Sequence, residues 1–250
     1  MRLAIAIGVA ALISSFLSPN LGLSEESLAT YVGFLVALVV VLVSFEVPAI
    51  LLHRRVTGEV GRLRVLPWAL IVAALFVLVS RLAALQPGYL WGVVLGVVFM
   101  RTDTSADEGR EQAAGAAWTL IVAVVAWLAL GSVRASGGSD STFVNVATQT
   151  ALAAIVVSAL EAVAFGLMPF RFMPGVAIYR WSRLVWAVLF GASLFAFFHL
   201  LIGPTSGYLS NLTGSAWLAA LGVFAAFGIF TVLFWAWFRF RPSPAVESEG

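Results

Sequence analysis

Long apolar runs separated by short polar stretches dominate the chain. Eight runs stand out: Leu3–Leu17, Leu28–Leu52, Val65–Leu85, Tyr89–Met100, Ala113–Gly131, Val144–Met168, Leu184–Ile202 and Ala216–Phe238. A helix that spans the hydrocarbon core of a bilayer needs about 20 mainly apolar residues, within a range of roughly 17–25. Most of the runs reach that length; the first and fourth are short. The pattern predicts an all-α integral membrane protein, a bundle of about eight transmembrane helices. Leu3–Leu17 also has the look of a signal peptide opened by Arg2. The residues after it, Ser14 to Pro19, make a poor small-x-small cleavage site, so it is read as a retained helix.

Composition supports that class. The 250 residues are 62% hydrophobic and 10% charged, whereas soluble chains average roughly 45–50% and about 25%. A soluble enzyme, a nucleic-acid-binding domain and a disordered protein are thereby disfavoured. Cysteine is absent, which excludes disulfides and thiolate sites, and two histidines are too few for a three-histidine metal site. All 14 basic residues are Arg and the net charge is +2. The arginines are scattered between the apolar runs, so topology accounts for them better than nucleic acid does.

Arginine placement sets the number of crossings. With eight crossings and an inside start, 12 Arg fall on the cytoplasmic side and only Arg81 and Arg134 outside. If Tyr89–Met100 did not cross, every later loop would flip and the split would be 6 inside to 8 outside. The excess of Arg in cytoplasmic loops therefore predicts that the short fourth run crosses and that both termini are cytoplasmic. The protein is expected in the cell membrane as a multi-pass chain, with a disordered tail at 242–250.

The halves look related. Arg64 to Leu70 opens the third helix and Arg183 to Leu189 the seventh, with Trp68 and Trp186 in similar places. Arg81 and His199 each follow the Trp by thirteen residues, and Gly88-Tyr89-Leu90 and Gly207-Tyr208-Leu209 come next. Glu46 and Glu161 occupy helices two and six. This order predicts a parallel 4+4 repeat about an axis along the membrane normal, with residues 1–112 as the first repeat and 113–241 as the second.

Ionisable groups inside a bilayer are costly, about 2.5–3.5 kcal/mol at a helix centre on insertion scales. Of the 12 acidic residues only Glu46 and Glu161 lie within apolar runs. Both are expected to face the bundle interior, either as a proton or cation site or as structural hydrogen bonds between helices. Arg81 and His199 lie near outer helix ends; Arg81 can snorkel to headgroups, and His199 sits among Phe195, Phe197 and Phe198 as a packing residue. His53, beside Arg54 and Arg55, reads as interfacial.

The run Phe165-Gly166-Leu167-Met168-Pro169, continued by Phe170-Arg171-Phe172-Met173-Pro174-Gly175, ends the sixth helix. It reads as a helix stop, or as a break lining a wet cavity. Arg171, Arg180, Trp181 and Arg183 then fit an interfacial anchor, with rings at headgroup level and Arg toward anionic lipid. These residues, with Gln86 to Leu90 and Trp181-Ser182-Arg183, resemble the actinobacterial FGLLP motif-containing membrane proteins over about 18–208. Met168 stands where the motif has a second Leu. The resemblance implies a polytopic membrane protein and carries no activity with it. Phe165–Gly175 is also weakly similar to the N-x-x-P…L-D-G segment of site-2 intramembrane metalloproteases. Pro174 stands where the metal-binding Asp would be and no H-E-x-x-H occurs, so at most a degenerate, metal-free relative is implied.

Small loops and the lack of a nucleophile–base pair point to a non-enzymatic anchor or subunit of an envelope complex, without cofactor or metal. Its expected partners are the lipid bilayer and a membrane protein or a second copy, not nucleic acid. The rival is a small proton- or cation-coupled transporter or channel using Glu46 and Glu161.

Overall fold

The computed structural model describes residues 2–16, 22–57, 63–65, 74, 99–101, 108–137, 142–169 and 173–202. The chain divides into two units, Met1–Ser210 and Asn211–Gly250, and all described residues belong to the first. Among the described residues four helical stretches are long and apolar enough to cross a membrane: Glu25–Arg55, Glu108–Ser136, Phe143–Gly166 and Arg183–Leu201. They make this a helical membrane protein. The third, fourth and eighth apolar runs lie almost wholly outside the described residues, as does the tail.

Helix α1 (Arg2–Ser15) is apolar but short. Its two buried serines, Ser14 and Ser15, donate to the carbonyls of Ala10 and Ala11, both at 2.9 Å. A buried hydroxyl satisfied within its own helix costs little. Helix α2 (Glu25–Thr57) carries Glu25 and Glu26 in its first turn and Arg54 and Arg55 in its last. Those charges complement the helix dipole at both ends. Ser24 caps the start, its hydroxyl accepting from the Ser27 amide at 3.2 Å. A short antiparallel ladder follows, β1 (Leu63–Val65) on β2 (Phe99–Arg101), with Arg64 opposite Met100.

Helix α3 (Glu108–Gly137) and helix α4 (Phe143–Gly166) come next. The eight-residue α5 (Pro174–Trp181) leads through Ser182 into α6 (Arg183–Ala196), which continues as a π-helical turn, Phe197–Ile202. Ser182 caps α6 by accepting from the Val185 amide at 3.3 Å. The helices outrun their apolar stretches at polar ends. Ala113–Gly131 extends to Glu108–Gly137, so the expected repeat boundary at 112/113 falls inside α3.

Packing fixes the directions. His53 of α2 meets Glu111 of α3, while Phe45, two turns earlier, lies against Gly115. Going back along α2 thus means going forward along α3, and the two are antiparallel. Ala113 and Ala116 of α3 share a core cluster with Val163 and Leu167 near the end of α4. With the α3–α4 connection only a few residues long, that pair is antiparallel too. Helices α2 and α4 are therefore parallel neighbours, and they form the most extensive helix contact.

Small residues make these approaches close, as expected where lipid removes the hydrophobic drive between helices. A Cβ on Gly33 of α2 would lie 2.7 Å from Thr150 Cβ and 2.8 Å from the Ala147 carbonyl of α4. A Cβ on Gly115 would overlap the Phe45 carbonyl, and one on Gly109 the Trp181 side chain. Helix α4 is the centre of the unit: every residue from Ala154 to Glu161 is buried.

Candidate intramembrane polar site

Both acidic residues picked out by the apolar pattern are interior. Glu161 is 0% exposed and Glu46 7%. The contacts of α3 set their relative height. Phe45 packs on the same cluster, between Ala113 and Ala116, as Val163 and Leu167. Glu46 and Glu161 therefore lie within about one helix turn of the same level, on adjacent parallel helices whose axes at contact run roughly 8–10 Å apart.

A third buried carboxylate lies nearby in the fold. Glu111 is 1% exposed and its Oε1 is 2.9 Å from Nδ1 of His53, itself 4% exposed. Glu46, Ala49 and His53 are spaced i, i+3, i+7 and share the face of α2 that turns to α3. By helix rise Glu46 is about 10 Å above His53. Four ionisable side chains thus occupy the same half of a three-helix interior. Among the described residues no three His, Asp or Glu come together to hold a metal ion.

His53, expected at the interface, is buried against protein and bonded to a carboxylate from another helix. Sequence reasoning also passed over Glu111, because it precedes the apolar run and looks like loop. One signal was available. Glu111, Gly115 and Thr119 follow at i, i+4, i+8, a polar and small stripe down one side of α3. Thr119 on that stripe donates to the Gly115 carbonyl at 2.8 Å, and Ser44 of α2 to the Val40 carbonyl at 2.6 Å. These hydroxyls turn back into their own helices, whereas the His53–Glu111 contact ties α2 to α3.

The FGLMP segment forms a stapled helix stop. Helix α4 ends at Gly166, and the Leu167 amide still donates to the Val163 carbonyl at 2.9 Å. Leu167 is buried, and its carbonyl accepts from Trp186 Nε1 at 2.8 Å. Gly175 lies directly on the Leu167 backbone, where any Cβ would overlap it. Pro174 opens α5, where a missing N–H costs nothing. Phe165 meets Phe197 edge to face at 6.1 Å between centroids. The chain turns out of the helix at Leu167 and Met168, the Met168 amide donating to the Phe165 carbonyl at 3.1 Å. The chain thus reverses onto its own buried carbonyl.

Beyond the stop, Arg110 of α3 lies over the Trp181 ring at 5.8 Å and Arg183 over Tyr179 at 5.4 Å. Tyr179 meets Trp186 edge-on at 5.2 Å, and Trp186 stacks on Phe190 at 5.2 Å. Arg180, Trp181 and Arg183 are exposed. His199 is exposed in the π turn and stacks on Phe195 at 5.4 Å, so it belongs to a surface aromatic pair and not to the buried acidic group. Arg81 and Arg171 lie outside the described residues.

Comparison with protein-family models, with curated proteins and with solved structures finds no match to this chain. The reading of its function therefore rests on the geometry above and on the motif resemblance.

Proposed function

We propose that this chain is a multi-pass protein of the cell membrane that serves as a non-enzymatic anchor or subunit of an envelope assembly. The observation that carries the reading is the use made of polar groups in the interior. His53 and Glu111 tie helix to helix, while Ser14, Ser15, Ser44 and Thr119 close on their own backbone. In contrast, α6 and its π turn present Leu184, Val188, Phe195 and Phe198 outward. That arrangement suits a rigid body with an apolar flank for lipid or for a partner helix. Eight crossings, two cytoplasmic termini and a parallel 4+4 repeat are part of the same proposal. Gly33 faces Ala147 and Thr150, and Glu46 is level with Glu161. A two-fold axis along the membrane normal between α2 and α4 gives this relation, because it sets each residue opposite its own equivalent. Kinship with the FGLLP-motif membrane proteins is likewise proposed, on the motif residues.

A second reading, a proton- or cation-coupled transporter, is favoured by one specific observation: two buried carboxylates at one height. One experiment separates the two. The full chain is purified from its native membrane under mild detergent, and a portion is placed in proteoliposomes. The anchor reading expects a stoichiometric co-purifying membrane protein and no coupled flux. Proton or cation flux abolished by Glu46→Gln or Glu161→Gln would overturn it.

A further inference from the structure

One end of the bundle carries exposed Arg54, Arg55, Arg110, Arg180 and Arg183. Among the described residues Glu108 is the single acidic side chain at that end that is not buried. The His53–Glu111 bond places the ends of α2 and α3 together there, and Gly109 lies against Ala177 and Trp181 of α5. The opposite end carries Glu25, Glu26 and Arg134. Three of the five arginines are gathered round α5. That helix is fixed on one side, with Ile178 buried in the core and Gly175 on the Leu167 backbone. The cations therefore stand on a held element.

We propose that this elbow, Arg110, Arg180 and Arg183 around Trp181 and Tyr179, binds the phosphodiester headgroup of an anionic phospholipid. Arg183, its guanidinium lying over the Tyr179 ring, is held by its face and can turn its edge N–H groups to a phosphate, which it can grip with two parallel bonds, while Arg110 over Trp181 adds positive charge. Trp and Tyr rings sit at headgroup depth. Helices α4 and α6, which α5 joins, are both candidate spans, so their linker lies at the boundary where such headgroups are. A free phosphate would find the same cations but no use for the exposed Trp181 ring, which suits the glycerol and upper acyl region beside a lipid phosphate.

The test uses the full chain in nanodiscs of phosphatidylcholine with a rising fraction of phosphatidylglycerol. Native mass spectrometry then counts lipids retained after the disc is stripped. Preferential retention of phosphatidylglycerol is expected, falling roughly fivefold for each of Arg180→Gln and Arg183→Gln, with Arg183→Lys keeping part of it. Arg134→Gln, at the far end, is expected to change nothing. Arg180 is exposed, so the Arg180→Gln variant keeps the test valid if the Arg183→Gln variant does not fold. Equal retention of the two lipids overturns the proposal, and so does an equal loss in Arg134→Gln. Displacement of the lipid by millimolar inorganic phosphate would reassign the elbow to a free anion. Retention of an acidic protein in place of lipid would reassign it to a partner.

Discussion

Helices α4 and α6 are both apolar enough to cross a bilayer, and hydropathy alone does not tell them apart. Helix α4 is lined with Ala, Val and Ser and is buried at every position from Ala154 to Glu161. Helix α6 is rich in Leu, Val, Phe and Trp, yet Ser193 is its one fully enclosed residue. In water the larger apolar side chains would be the ones inside. Within lipid that ordering fails, because a hydrocarbon side chain gains little by exchanging acyl chains for protein. Close backbone approach decides instead, and it selects small residues. The acidic residues follow the same division: they sit where neighbouring helices exclude lipid.

This contrast breaks if glycine contacts on the core helices do not matter. Gly115→Leu, which drives a side chain into the Phe45 carbonyl, is expected to cost about 3 kcal/mol or more. Gly191→Leu on α6, where a Cβ meets nothing within 4 Å, is expected to be neutral. The midpoint of unfolding in mixed SDS micelles reads both, and equal shifts would sink the comparison. Next in size is the buried pair. Glu111→Ala strands His53 in the interior and is expected to lose about 2 kcal/mol. A double-mutant cycle with His53→Ala should return a coupling near 1 kcal/mol, and additive losses would show that the contact contributes nothing. Smaller still is the staple between core and flank. Trp186→Phe keeps the stack on Phe190 but removes the donor to Leu167, for an expected loss of roughly 0.5–1 kcal/mol. The smallest effect sharpens the other side: Leu184→Ala, on the exposed face of α6, should move the midpoint by less than about 0.5 kcal/mol.

The helices themselves were legible because length and apolarity suffice to mark a span. Their ends were less so. Glu25, Glu26 and Glu108 stabilise a first turn, and Arg54 and Arg55 a last one, so each helix runs on past the hydrocarbon where an apolar pattern stops. The π turn at Phe197 left no mark among so many apolar residues. Glu46 and Glu161 could be found because a charge in an apolar run has few explanations. The His53–Glu111 bond joins positions 58 apart, with one partner in a polar stretch. Only the antiparallel packing of α2 on α3 reveals it. The FGLMP stop was legible as a break, while its partner Trp186 was noticed only as part of a repeat.

The parallel packing of α2 on α4 has a consequence for how the protein is made. Gly33 reaches Ala147 and Thr150 across about 120 residues of chain. At translation rates of about 5–20 residues per second, α2 enters the bilayer roughly 6–24 s before its main neighbour exists. Throughout that interval the face of α2 that carries Gly33 lacks the helix it packs on in the folded bundle. Helix α3 arrives first and brings Glu111 to His53. The later docking of α4 brings Glu161 into the interior and closes the contact at Gly33. Biogenesis of this bundle is thus ordered by the ribosome, with its most intimate contact formed late.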